Sequence, residues 1–407
     1  MNSKEITTYA DLVIEQGVNL RKGQSVVIQT CEATYYFARA LAKSAYAHQA
    51  KFVHIRIMDL DILSSRLENQ DNEALCYNPE FEKVLDYQIT SEQWAYIGID
   101  AIEDRLFNYN LDADKNQAYA KARKQFHSLV QNNWMRDATP WTVVAAPSEL
   151  WAKKVLGDNA SIDELFNVLK PILLLDAKNP ILAWQQKNIR MQERADKLNN
   201  LGIESLHYSS LDTDFTIGFC HHSQFLGGSA TLPDGRSFFP NLPTEELFTT
   251  PDRTRAEGYI TTTKPVSVLE TITEQVRLTF KAGRVVDYSA KVGKAAMDRF
   301  FSIDEGTRRI GECALVDEGN PIAQSNLLFS SILYDENASC HIALGAGYPK
   351  CLTNSNELQD EQQLESEGCN QSLMHIDFMV GSKEMQIIAT CKDGKKVQIL
   401  RNGRFVL

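Results

Sequence analysis

Four short apolar runs, QSVVIQT, KFVHIRI, WAYIGI and WTVVAAP, alternate with stretches of helical periodicity through the first half of the chain. That alternation constrains the fold more than any other feature. Helical spacing covers residues 6–17 and 33–48, and again roughly 160–171 and 180–200. Strands separated by helices line up in parallel, with the helices covering the sheet. From about residue 203 the texture changes to strand pairs. EQVRLTF turns through KAGR into VVDYSAKV, and EMQIIATCK turns at Asp393-Gly394 into KKVQIL, with one short helix expected near 293–302. The expected fold is therefore α/β: a Rossmann-like N-terminal domain with a parallel sheet over 1–200, then a β-rich α+β domain over 201–407. A chain of 407 residues is longer than one core usually serves, which agrees with two domains.

A formal net charge of −11 sets the protein's field against nucleic acid and against anionic membrane surfaces. No apolar run approaches the length of a membrane span, and MNSKEITTYADLV lacks the apolar segment of a secretory signal, so the expected location is cytoplasmic. Cysteines stand singly at 31, 76, 220, 313, 340, 351, 369 and 391, with no C-x-x-C pair. They read as reduced thiols. Any metal in this chain is then expected on nitrogen and oxygen ligands.

Unusual residues gather in the β-rich half. In SLMHIDFMVG, strand alternation puts His375 and Asp377 on one face and Met374, Ile376, Phe378 and Val380 on the other. A buried aspartate must be paired, protonated or bound to a cation, and a buried His–Asp hydrogen bond meets that need as simply as a metal does. In RRIGECALV the same alternation places Glu312 with Ile310, Ala314 and Val316, the face otherwise given to the core. An internal salt bridge or a cation would account for it. His341 in NASCHIALGAGYP shares a face with Ser339 and Ala343, and Tyr348 follows through the GAG turn. NLPTEELFTTP supplies Glu245 and Glu246, where Pro243 and the polar residues around it suggest the first turn of a helix or a tight turn. GAG at 345–347 lacks the third glycine of a phosphate loop, and H-E-x-x-H, G-x-S-x-G and the Walker pattern are absent. His221-His222 reads as a solvated loop. Glu246, Glu312, His341, His375 and Asp377 together make three carboxylates and two imidazoles, a set that suits one or two zinc- or cobalt-like ions with a carboxylate bridge.

FFPNLPTEELFTTP, GTRRIGECALV, LYDENASCHIALGAGYP and MHIDFMVGS, in that order, resemble the motifs of the M29 family of metalloaminopeptidases. The resemblance runs over the whole chain. It implies an enzyme that removes the first residue of a peptide by means of a metal-activated water. The implied ligands are Glu246, Glu312, His341, His375 and Asp377, with Glu312 bridging two divalent ions, zinc or cobalt first and magnesium third. Motif spacing favours Glu246 over Glu245. Tyr348 matches the family's active-site tyrosine, and Glu245 stands as a candidate for the substrate's free amino group. Peptides with a free N-terminus are the implied partners, and a homodimer the implied assembly. A metal-dependent esterase or phosphoesterase on the same ligands is the competing enzyme reading, although the nearest cations, Arg253, Arg255, Arg308 and Arg309, stand only at the motif margins. A binding module with a buried polar network is the non-catalytic alternative.

Overall fold

A computed structural model describes residues 2–103, 113–269, 271–358 and 360–407. Two compact units emerge: Met1–Gln186 with Ser229–Pro243 and Leu327–Leu333, and Lys187–Gly228 with Thr244–Asn326 and Tyr334–Leu407.

The first unit is built on the four apolar runs, now strands β1 (Val26–Cys31), β2 (Val53–Met58), β3 (Ala95–Asp100) and β4 (Trp141–Ala145). They pair in parallel in the order β4-β3-β1-β2, and Asn241–Leu242 adds a short parallel strand outside β4. Strand β1 is buried almost throughout, as a central parallel strand must be when helices cover it. The helix Ser3–Leu12 is capped by Asn2 and Glu5 and tied to β4 by Tyr9, whose hydroxyl donates to Ala145 O at 2.8 Å. The helical stretch expected over 6–17 ends differently: Val13–Gly17 widens into a π-turn. Helices Tyr35–Ala47, Ile162–Ile172 and Pro180–Asn200 fall where the periodicity put them.

The second unit is antiparallel. One sheet runs, in spatial order, through Arg284–Ser289, Arg277–Lys281, Pro251–Thr261, Thr213–Phe219, Ile203–Ser210, Gln386–Cys391, Lys396–Arg401 and Arg404–Phe405. Ala282 and Gly283 close the KAGR hairpin with positive φ angles of 48° and 76°, the twist a tight hairpin turn requires. The second sheet holds the unusual residues. Its strands are β5 (Leu226–Gly227), β6 (Glu246–Thr249), β7 (Ile310–Val316), β8 (His341–Gly345) and β9 (His375–Met379), in the order β9-β8-β7-β6-β5. Leu206, Tyr208, Phe215 and Ile217 of the larger sheet share one buried core with Leu247, Cys313, Leu315, Ile342, Leu344 and Phe378 of the smaller. Among the described residues, no helix is long and apolar enough to cross a membrane.

One local expectation fails. Glu246 does not open a helix or a turn; it opens β6. The backbone of β6 pairs with β7 on one side and β5 on the other, and those ladders outweigh the helix-start character of Pro243, Thr244 and Glu245.

Candidate metal centre

Register explains how five residues from four strands meet. Glu246 lies opposite Val316, His341 opposite Ala314, and both Glu312 and Asp377 opposite Ala343; His375 lies opposite Gly345. Directly opposed residues share a face, so all five ligand candidates project from the same side of the sheet. The residues opposite His341, Glu312 and His375 are small, Ala314, Ala343 and Gly345, which leaves room above them. Alternation sends Leu247, Cys313, Leu315, Ile342, Leu344 and Phe378 to the opposite side, into the core. The start of β7 carries a register shift between Ile310 and Glu312. Gly311 sits there because a Cβ would come within 2.2 Å of Ala346 O and 2.4 Å of Gly345 O.

Two clusters result, and within each the candidate ligand atoms lie within 4.8 Å of one another: Glu246, Glu312 and His341, and Glu312, His375 and Asp377. Glu312 belongs to both. Its neighbour is an imidazole rather than an arginine, with His375 Nε2 3.1 Å from Oε2. His341 Nε2 is 3.2 Å from Glu246 Oε2. Both imidazoles are held from behind by backbone carbonyls, His341 Nδ1 by Ser339 O at 3.1 Å and His375 Nδ1 by Ala346 O at 2.7 Å. A carbonyl only accepts, so each Nδ1 carries a proton and each Nε2 faces the carboxylates, which is how a metal-binding histidine is commonly oriented.

Electrostatics describe a site crowded with negative charge. Burial, joined by the charges of Asp377 and Glu246, raises the Glu312 carboxyl above its ordinary range against the His375 hydrogen bond. Burial works against an imidazolium at His341, but the Glu246 hydrogen bond and the charges of Asp377, Glu246 and Glu312 push its pKa up to about 10. His375 is raised for the same kind of reason: Asp377 and Glu312 outweigh burial. Asp377 is lowered, since His375 overcomes its desolvation. Imidazoles raised in this way mark a site whose negative charge favours cations. Asp377 Oδ1 is the orphan: it is buried and accepts no hydrogen bond among the described residues, with His375 Nε2 3.4 Å away outside bonding geometry. A buried carboxylate oxygen without a donor is what a cation-binding position looks like. An all-nitrogen-and-oxygen set of this kind fits a hard or borderline divalent ion.

Sequence reasoning missed Glu336. It opens a single 3-10 turn, Glu336–Ala338, and burial with the charges of Glu246 and Asp377 raises its carboxyl well above the ordinary range. The polar run YDEN in which it stands reads locally as a turn and carries no periodic signal. Tyr348 stands beside the second cluster, its hydroxyl 3.3 Å from His375 Nε2 and its ring edge-on to Phe248 with centroids 5.6 Å apart. Burial and the charges of Glu312 and Asp377 raise the phenol well above its usual range, so it stays protonated. His221 is exposed and His222 meets Thr353, away from both clusters.

Glu245 faces a different partner. Its carboxylate pairs with Lys187 Nζ at 2.6 Å, and its amide donates to Asn337 Oδ1 at 2.6 Å. The pair is largely buried, at 9% and 14% side-chain exposure, so the Glu245 carboxylate already has a cationic partner within the chain. Lys187→Met should cost about 3–5 kcal/mol in a denaturant titration by stranding Glu245, and Lys187→Met with Glu245→Leu should recover most of it. A single variant as stable as the parent would show that the pair contributes nothing.

The sequence profile of the thermophilic metalloproteases (M29) matches residues 2–405. Aminopeptidase 2 of Geobacillus stearothermophilus is 34% identical over 409 residues, covering 99% of this chain and 98% of its own. Aminopeptidase T of Thermus thermophilus is 30% identical over 407 residues, with 99% of both chains covered. The solved structure of wild-type AmpT from Thermus thermophilus superposes with a TM-score of 0.91 at 30% identity, again over 99% of each chain. With the profile and these relatives spanning its length, the chain belongs to the M29 family of metalloproteases and is a metal-dependent hydrolase of peptide bonds.

Proposed function

We propose that this protein is an aminopeptidase that releases the N-terminal residue of peptides at a centre of two divalent ions, zinc or cobalt in preference to magnesium. The observation that carries the two-ion reading is Glu312, the carboxylate common to both ligand clusters. Glu246 and His341 would complete one position and His375 and Asp377 the other, with Glu336 adding a further carboxylate to the same field. Charge agrees with cations at this place: Glu246, Glu312 and Asp377 share one pocket with two imidazoles, and Glu336 lies in their field. Such ions supply Lewis acidity, which makes hydroxide available near neutral pH and polarises the scissile carbonyl.

The chain's own groups do the rest. Ser339 O and Ala346 O hold the imidazoles so that both Nε2 atoms face the carboxylates. Tyr348, whose buried phenol carries its proton near neutral pH, donates a hydrogen bond to the carbonyl oxygen as it gains negative charge. Glu312, buried within reach of both imidazoles, would be the ligand common to the two positions. The proposal includes a reducing, cytoplasmic setting, in keeping with eight cysteines that are all free thiols. It also includes a homodimer, which sedimentation velocity reads directly.

The test is hydrolysis of a leucyl chromogenic amide by chelator-stripped protein before and after addition of zinc or cobalt, with the N-acetylated amide as control. Restored cleavage confined to the free-amine substrate is the expected result. Equal cleavage of both substrates would overturn the exopeptidase reading, and no cleavage despite stoichiometric metal would move the activity to another bond.

A further inference from the structure

Four elements come together behind Tyr348 at one buried hydroxyl. Thr250, fully buried, follows directly on β6, the strand that carries Glu246. Its Oγ1 donates to Gly311 O at 2.8 Å, one residue before Glu312. The same oxygen accepts from the Tyr348 amide at 3.1 Å. Its backbone carbonyl accepts from Ser223 Oγ at 2.7 Å, and Cys369 Sγ lies 3.8 Å from the hydroxyl. One side chain thus ties the end of β6 to the start of β7 and to the loop after β8.

The GAG turn now has a physical reason. A Cβ on Gly347 would come within 2.6 Å of Thr250 Oγ1 and 2.9 Å of Cys369 Sγ, so glycine is what lets the loop close onto the hydroxyl. The rest of the loop is pinned as well: the Gly347 amide donates to Asn370 O at 2.7 Å, and Asn370 Nδ2 donates to Gly345 O at 2.6 Å. Those bonds fix the turn on its outer side. Among the described residues, the Thr250 hydroxyl is what joins the Tyr348 amide to the strand bearing Glu312.

We propose that Thr250 is a positioning residue for Tyr348, using one buried hydroxyl to set the phenol's place relative to Glu312 and the metal centre. The proposal rests on the reading of Tyr348 as the oxyanion donor. A donor must sit at hydrogen-bond distance from where charge develops, and a displacement of about 1 Å from a distant change can lower the rate 10²-fold. Valine is the informative replacement, because it keeps the threonine's shape and removes both the donor to Gly311 and the acceptor for Tyr348.

The experiment measures kcat, KM and bound metal for Thr250→Val, Thr250→Ser, Tyr348→Phe and the Thr250→Val/Tyr348→Phe pair, with the leucyl amide as substrate. Thr250→Val should lower kcat by about tenfold to 10²-fold, with KM and metal content close to those of the parent. Thr250→Ser, which restores the hydroxyl, should return kcat to within about threefold of the parent. In the Tyr348→Phe background Thr250→Val should add nothing, since the group it positions is gone. A parental kcat for Thr250→Val, or an equal loss in both backgrounds, would overturn the proposal and leave Thr250 structural. Failure of the underlying reading shows separately, as a parental kcat for Tyr348→Phe alone. Should Thr250→Val not fold, Gly347→Ala presses on the same contact from the loop side and must show the same non-additive loss with Tyr348→Phe.

Discussion

Glu312→Gln will lower kcat/KM by at least about 10³-fold, roughly 4 kcal/mol of transition-state stabilisation, while leaving the metal-stripped protein as stable as its parent. The two halves of that result have different causes. Glutamine keeps the shape of the side chain, so the β7 ladder and the core behind it are undisturbed. In the metal-free protein the Glu312 carboxyl is held above its ordinary range by burial and by the charges of Asp377 and Glu246, so a neutral amide relieves repulsion as much as it removes attraction from His375. Loading with metal reverses the balance. Glu312 is the member common to both clusters, and an amide oxygen neither neutralises two cations nor bridges them as a carboxylate does. Thermal unfolding with and without zinc or cobalt separates the two effects. The parent should gain stability on loading, and the variant should gain almost none, with a metal-free Tm within about 2 °C of the parent's. A parental metal-dependent gain in the variant would sink the shared-ligand role.

The parts of this centre that were legible in the sequence are those with a local period. His375 and Asp377 stand two apart in an apolar run, and Glu312 interrupts the inward face of another; each is visible because a strand repeats every two residues. Glu246 is legible as an unusual residue but not as part of a strand. Its neighbours Pro243, Thr244 and Glu245 carry helix-start chemistry, whereas the strand exists because β5 and β7 pair with it from distant parts of the chain. Glu336 was invisible for a related reason. In a turn of three residues it has no period, and only the fold brings it near Glu246 and Asp377. At the level of the fold, the four parallel strands were readable as apolar runs between helices. The fifth, Asn241–Leu242, joins β4 from nearly a hundred residues away by a two-residue ladder, too short for any pattern to announce.

Tyr348→Phe should lower kcat by about 10²–10³-fold, the usual loss when one oxyanion donor is removed, with KM and metal content unchanged. The geometry makes this substitution unusually clean. Phenylalanine keeps the ring that packs edge-on against Phe248, and it keeps the backbone amide that reaches Thr250 Oγ1. Only the hydroxyl 3.3 Å from His375 Nε2 is lost. That contact creates the one competing account, in which Tyr348 acts by steadying His375 as a ligand. The two accounts separate by binding: a positional role for His375 predicts weaker metal retention against a chelator, whereas an oxyanion donor predicts parental retention with a loss confined to kcat. A buried phenol carries its proton near neutral pH, so the donor is present before substrate arrives. An oxyanion donor held ready in a buried setting needs no reorganisation when charge develops, and that is why its removal should be felt in kcat rather than in KM. Parental kcat with parental metal content would remove Tyr348 from the reaction altogether.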